Sequence, residues 1–168
     1  MEKPVEYAAP WSTALKLIST LSTALLVGIP LIATFSGPRS NPAWMAVMVL
    51  LPMATVVSCA IFVIRGYKLT KNAILIRRLG WHSTIDTSEL TSVEADPEAM
   101  TRSIRLWGNG GLFCFSGLFR NKRLGTYRAY ATNPSKSVVI RTLHRTFVVT
   151  PECPHGFVDE VRKIQGMR

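Results

Sequence analysis

The chain has 168 residues, 48% of them hydrophobic and 18% charged, and its 20 Lys and Arg exceed its 10 Asp and Glu. That length has room for one domain of about a hundred residues and one smaller element. The net charge of +10 points to an acidic partner, and three scattered cysteines, Cys59, Cys114 and Cys153, form neither a disulfide framework nor a zinc knuckle.

In chain order, residues 1–11 read as a polar lead, with Trp11 placed as an interfacial aromatic anchor. Two uncharged runs follow. Leu17 to Phe35 spans 19 residues and Ala43 to Ile64 spans 22, with the connector SGPRSNP between them. At about 1.5 Å per residue each can cross a hydrocarbon layer roughly 30 Å thick, which predicts a transmembrane helical hairpin over 12–64 (spans about 12–35 and 43–64). The first run is too long for a signal-peptide core and has no A-x-A site after it, so no cleavage is expected. Ser12, Ser19 and Thr23 on one face and the small pair Ala54 and Ser58 suit close helix packing, while Pro30 and Pro52 predict kinks. No ionisable residue lies inside either span, so the hairpin reads as an anchor.

Charge is unevenly placed. Of the 20 basic and 10 acidic residues, three (Lys3, Lys16, Arg39) and two (Glu2, Glu6) fall within 1–64, which leaves 17 against 8 in residues 65–168. Arg65, Lys68, Lys71, Arg77 and Arg78 follow the second span directly, and only Arg39 lies in the connector. By the positive-inside rule both termini and the soluble part, 65–168, face the cytoplasm. That juxtamembrane group also draws the domain toward an anionic leaflet.

Beyond Arg65 the helical period gives way to short strands. Residues 67–70 and 73–79 flank Lys71-Asn72 as a hairpin turn, and 81–85 and 88–95 continue the series. Ser103 to Trp107 alternates so as to bury Ile104 and Leu106. GNGG precedes an aromatic run from Leu112 to Phe119; strands then cover 124–132, 137–143 and 146–150, with His144-Arg145 as the last turn. A helix from Pro151 to about Ile164 places Phe157, Val158, Val161 and Ile164 toward the core.

The segments Gly66 to Thr70, Ile74 to Trp81, Ile104 to Phe113, Leu124 to Thr132 and Val148 to Pro151 together resemble the bacterial pleckstrin-homology-like (PH-like) domains that follow a membrane hairpin. The resemblance covers about 65–165. It implies a mainly β fold, a bent barrel of about seven strands capped by the C-terminal helix. It implies less about activity, because this fold serves lipid, peptide and self-association sites alike.

The segment GNGGLFCFSGLFRNKR is the most distinctive in the domain. It reads in three ways: a core strand with Phe113 and Phe115 inside, a partner groove, or a loop whose aromatics approach the bilayer while cations hold lipid phosphates. The candidate contacts for an anionic phospholipid or a partner are Arg120, Lys122, Arg123, Trp107 and Phe119. GNGG is no nucleotide loop, because it runs into a strand and no GK[ST] follows. His82, His144 and His155 lack ligand spacing, and Asp86, Glu89, Glu94, Asp96 and Glu98 read as a solvated face. No catalytic, cofactor or metal site is therefore expected, nor any nucleic-acid partner. The expected function is non-enzymatic: a membrane-anchored protein-interaction or self-assembly module at the cytoplasmic face. The alternative is an anionic-lipid sensor using 120–123.

Overall fold

A computed structural model describes residues 5–36 and 41–166. Lys3, Pro38 and Arg39, which enter the hairpin and orientation readings, lie outside the described residues.

Helix α1 (Thr13–Ser36) starts under Ser12, whose Oγ accepts the Leu15 N–H at 3.1 Å. Helix α2 (Pro42–Ile61) is capped by Asn41, whose side chain accepts from Ala43 N and Trp44 N, with Pro42 in the first turn. Pro30 and Pro52 lie inside the two helices. Thr13–Phe35 and Pro42–Ile61 are both long and apolar enough to cross a membrane. Most of their apolar surface is uncovered: Leu21, Leu25, Ile32 and Phe35 on α1 are exposed, as are Val47, Leu50 and Leu51 on α2. Ala54 and Ser58 are exposed too and line an open groove along α2. The start of α1 is different, because Leu15 and Ser19 are buried against the domain.

The N-terminal lead is more than a lead. Val5–Ala8 forms β1, antiparallel to β2 (Gly66–Leu69), with Tyr7 opposite Tyr67. Together with β3 (Ala73–Arg77) and β4 (His82–Asp86) they make a four-stranded sheet in the order β1-β2-β3-β4. The Lys71-Asn72 turn joins β2 to β3, where Thr70 N donates to Ala73 O at 3.0 Å. The second sheet contains β5 (Leu90–Ala95), β6 (Ile104–Gly110), β7 (Phe115–Asn121), β8 (Gly125–Ala131), β9 (Val138–Thr142) and β10 (Thr146–Val149). Its order is β5-β9-β10-β8-β7-β6, with β10 parallel to β8. Helix α3 (Pro154–Gln165) ends on Gly166 in the left-handed region.

The class is as expected, mainly β with a helical hairpin before it and a helix after it. The barrel is not. The two sheets do not close on one another, because the chain leaves β4 and its next strand, β5, pairs with β9 instead. Nine strands form in the domain beyond residue 65, where about seven were expected, and β1 adds a tenth among the described residues.

Period-two alternation divides the six-stranded sheet between two cores. Val138, Ile140 and Val149 point toward α3 and the four-stranded sheet, where they join Ile64, Tyr67, Ile74, Ile76, Phe157 and Val161. Val139, Val148, Ala129, Tyr127 and Phe119 form a smaller core on the opposite face, under Met100 and Leu124. Strand β6 belongs to neither. Ile104 and Leu106, expected inside, are 70% and 50% exposed, because β6 is the last strand of its sheet and nothing covers its faces.

Candidate functional site

Strand β3 ends in a tight turn, in which Arg78 N donates to Trp81 O at 2.9 Å and Gly80 takes a positive φ of 83°. The turn swings Arg78 under the end of α2, where helix carbonyls lack intrahelical partners. Trp81 Nε1 donates to Ile61 O at 3.1 Å, and the Arg78 guanidinium donates to Phe62 O. A cation at a helix C-terminus also complements the dipole there. Arg78 is only 6% exposed. Its Nε donates to Ser83 Oγ at 3.1 Å and one terminal nitrogen to Ser116 Oγ at 3.0 Å. The guanidinium lies 4.8 Å from the Trp81 ring and 5.5 Å from the rings of Phe62 and Tyr130. Every partner is neutral, and among the described residues no carboxylate pairs with Arg78. Burial lowers its pKa, yet an arginine stays charged across the physiological range.

Arg78 forms part of the wall of a cavity of about 670 Å³ between the end of α2 and the outer strands of the larger sheet. Arg105 from β6 and Arg128 from β8 line it as well, with Trp81 and Trp107. The lining holds three arginines and no histidine or carboxylate. Cys114, buried beside it, has its thiol pushed up to about 11 by burial, with Arg78 opposing; at neutral pH it is a thiol and a poor nucleophile.

Two glycines let β6 and β7 come close together beside the cavity. Gly108 and Gly117 pair across β6 and β7 with φ of 102° and 148°. A Cβ on Gly108 would sit 2.3 Å from Ser116 O, and one on Gly117 2.1 Å from Trp107 O. The following turn is a joint rather than a phosphate loop. Asn109 Oδ1 accepts from Gly111 N and Leu112 N, while Ser19 Oγ on α1 accepts from Phe113 N at 2.9 Å and donates to Gly111 O at 3.2 Å. Phe113 and Phe115 are half-buried here, and Cys114 and Phe119 are the buried side chains.

The residues singled out from the sequence fall in three places. Arg120, Lys122 and Arg123 sit at the turn between β7 and β8, at the far end of β7 from the joint with α1. Arg120 and Lys122 are exposed; Arg123 pairs with Asp96 at 2.8 Å and with Glu98 at 3.6 Å. Phe119 is buried and stacks on Tyr127, whereas Trp107 is 80% exposed at the cavity. The juxtamembrane cations disperse: Lys68 and Arg77 both face Glu6 on β1, Arg65 and Lys71 are exposed, and Arg78 turns inward. Only Arg78 and Trp107 from that set meet in the cavity. Sequence reading missed Arg105 and Arg128. Arg128 carried a signal, since two residues from buried Tyr130 it occupies the same sheet face, where an apolar residue is the norm.

Two small sheets, a closing C-terminal helix and a cationic cavity lined by neither histidine nor carboxylate define a β-sheet binding domain of the pleckstrin-homology type. A family model described as Bacterial PH domain matches residues 65–165, and the chain belongs to that family. PH domains are typically non-catalytic binding modules. No curated protein and no solved structure matches the chain.

Proposed function

We propose that the protein is a non-enzymatic, two-span membrane protein whose PH-like domain binds its ligand or partner at the cytoplasmic face of the cell membrane. The apolar surface that α1 and α2 leave uncovered carries this reading, because water does not tolerate a contiguous patch of that extent on a folded monomer. The pairing of β1 with β2 supports a hairpin topology: the segments before and after the two helices belong to one sheet and so lie on one side. Cations near that side, Lys16, Arg65 and Lys71, favour the cytoplasm.

A second reading, self-assembly, is favoured by β6. It ends its sheet and presents Ile104, Leu106 and Trp107 beside an unpaired backbone edge, which suits strand addition by another chain.

Cys153, exposed on the domain, provides the test. In intact cells a membrane-impermeant maleimide should leave it unlabelled, and permeabilisation should expose it, with Cys153→Ser as the control. The protein should also stay in the pellet after alkaline carbonate washing and leave it only with detergent. Labelling in intact cells would overturn the orientation, and release by carbonate would overturn the spans.

A further inference from the structure

We infer that the arginine cavity is the headgroup site of one bound anionic phospholipid, with an acyl chain lying along α2. The inference rests on the proposal that α1 and α2 lie in the bilayer.

The first argument is unbalanced charge. Several acids elsewhere in the domain are matched: Glu6 faces Lys68 and Arg77, Asp96 and Glu98 face Arg123, and Glu94 faces Arg141. Arg78, Arg105 and Arg128 converge on one cavity, and among the described residues none of them has a carboxylate partner. A buried cation without a counter-ion is unfavourable in a low-dielectric site. An anion entering here supplies the missing charge.

The donor set suits a phosphate. Arg78 donates one N–H from each of its nitrogens, to Ser83, Phe62 and Ser116, and each terminal nitrogen carries a second N–H for which the neighbouring Cys114 thiol competes. Ser83 and Ser116 accept from Arg78 through their hydroxyl oxygens, so each hydroxyl hydrogen remains available to a ligand oxygen. Arg105 and Arg128 are exposed and can close over the anion from the outer strands.

Shape and position select a lipid over free phosphate. Ser58 and Cys59 line the arginine cavity and also a second, apolar groove of about 630 Å³ along α2. These two residues place the two spaces side by side at the end of α2. The groove, floored by Ala54 and Thr55 between Leu50 and Leu51, runs along the face of a helix that is uncovered throughout. The cavity opens where α2 ends, flanked by Trp81 and Trp107, residues suited to headgroup depth. Inorganic phosphate would need the arginines and would make no use of the groove.

The test uses the full chain, purified in neutral detergent and stripped of lipid, titrated with dioctanoyl phosphatidylglycerol, dioctanoyl phosphatidylcholine or inorganic phosphate. Tryptophan fluorescence and native mass spectrometry are the readouts. One phosphatidylglycerol per chain is expected, bound about tenfold or more tighter than either phosphatidylcholine or phosphate. Because Arg78 is buried and its replacement can unfold the domain, Arg105→Gln/Arg128→Gln serves as the charge variant; it should weaken phosphatidylglycerol about tenfold with thermal unfolding unchanged. Ala54→Phe, which fills the groove, should weaken the lipid and leave phosphate binding as it was. Equal affinity for phosphate and lipid together with an inert Ala54→Phe would overturn the lipid assignment. Unchanged lipid binding in the double arginine variant would overturn the site. If the protein meanwhile resists carbonate extraction, the membrane reading stands on its own.

Discussion

Tyr67 shows how one residue ties the two sheets together. It lies on β2, wholly buried, and its hydroxyl donates to Tyr130 O on β8 at 2.6 Å while accepting Thr150 N–H at 3.1 Å. Its ring edge meets Phe157 of α3 with centroids 6.2 Å apart. Burial pushes the phenol up to about 12 from an ordinary 10.0, against the lowering effect of its Thr150 hydrogen bonds. The folded state therefore prefers the protonated phenol. Its contribution is complete below about pH 10, the unfolded value, and is lost as pH rises toward 12. Burial shifts Cys114 the same way, from 9.0 to about 11, so the decline begins near pH 9. Stability should thus be level around neutrality and fall steadily across the alkaline range. Tyr67→Phe should remove part of that slope, yet cost about 1–3 kcal/mol at pH 7 by leaving Tyr130 O and Thr150 N unpaired. Denaturant unfolding of both proteins at pH 7, 9 and 10.5 checks this; parallel pH profiles would rule it out.

At the scale of elements, the joint between α1 and the turn after β6 decides whether hairpin and domain move together. Ser19 is 3% exposed and bridges Gly111 and Phe113, and Trp11 packs 6.1 Å from the Phe113 ring. Ser19→Ala leaves the Phe113 N–H buried without its acceptor, a loss of about 1–3 kcal/mol. Amide exchange should accelerate over Gly111–Cys114 while β8, β9 and β10 keep their protection; uniform acceleration would mean that the joint is part of the global fold. Much at this scale was legible from sequence. Two uncharged runs gave both helices, Asn72 gave the β2–β3 turn, and helical spacing placed Phe157, Val158 and Val161 in the core. Strand β6 was misread because alternation reports that two faces differ and not that either is covered; an edge strand leaves Ile104 and Leu106 outside. The cavity was illegible for a related reason. Five cations after a span look alike in sequence, and only the turn at Gly80 turns Arg78 away from water while its neighbours stay out.

For the whole molecule, the family match begins at residue 65, whereas the sheet reaches back to Val5. Strand β1 enters the sheet from the far side of the hairpin, sixty residues away in sequence, which is why no local pattern revealed it. Its integration is extensive. Tyr7 Oη donates to Gly156 O at 3.0 Å and its ring lies 5.2 Å from that of Phe157; Glu152 N donates to Ala8 O at 2.9 Å, and Thr132 Oγ1 to Pro10 O at 3.0 Å. A fragment of residues 65–168 loses all of these and exposes the β2 edge, which invites association between copies. Its unfolding temperature should fall about 10 °C or more below that of the detergent-solubilised full chain. A peptide of residues 1–12 added in trans should restore part of the loss. Gly66 sharpens the test, because a Cβ there would sit 2.6 Å from Tyr7 O, a contact that exists only with β1 in place. Gly66→Ala should destabilise the full chain clearly and leave the fragment nearly unchanged. If it lowers both by the same amount, β1 is not the partner that makes position 66 a glycine, and the domain is self-sufficient from residue 65.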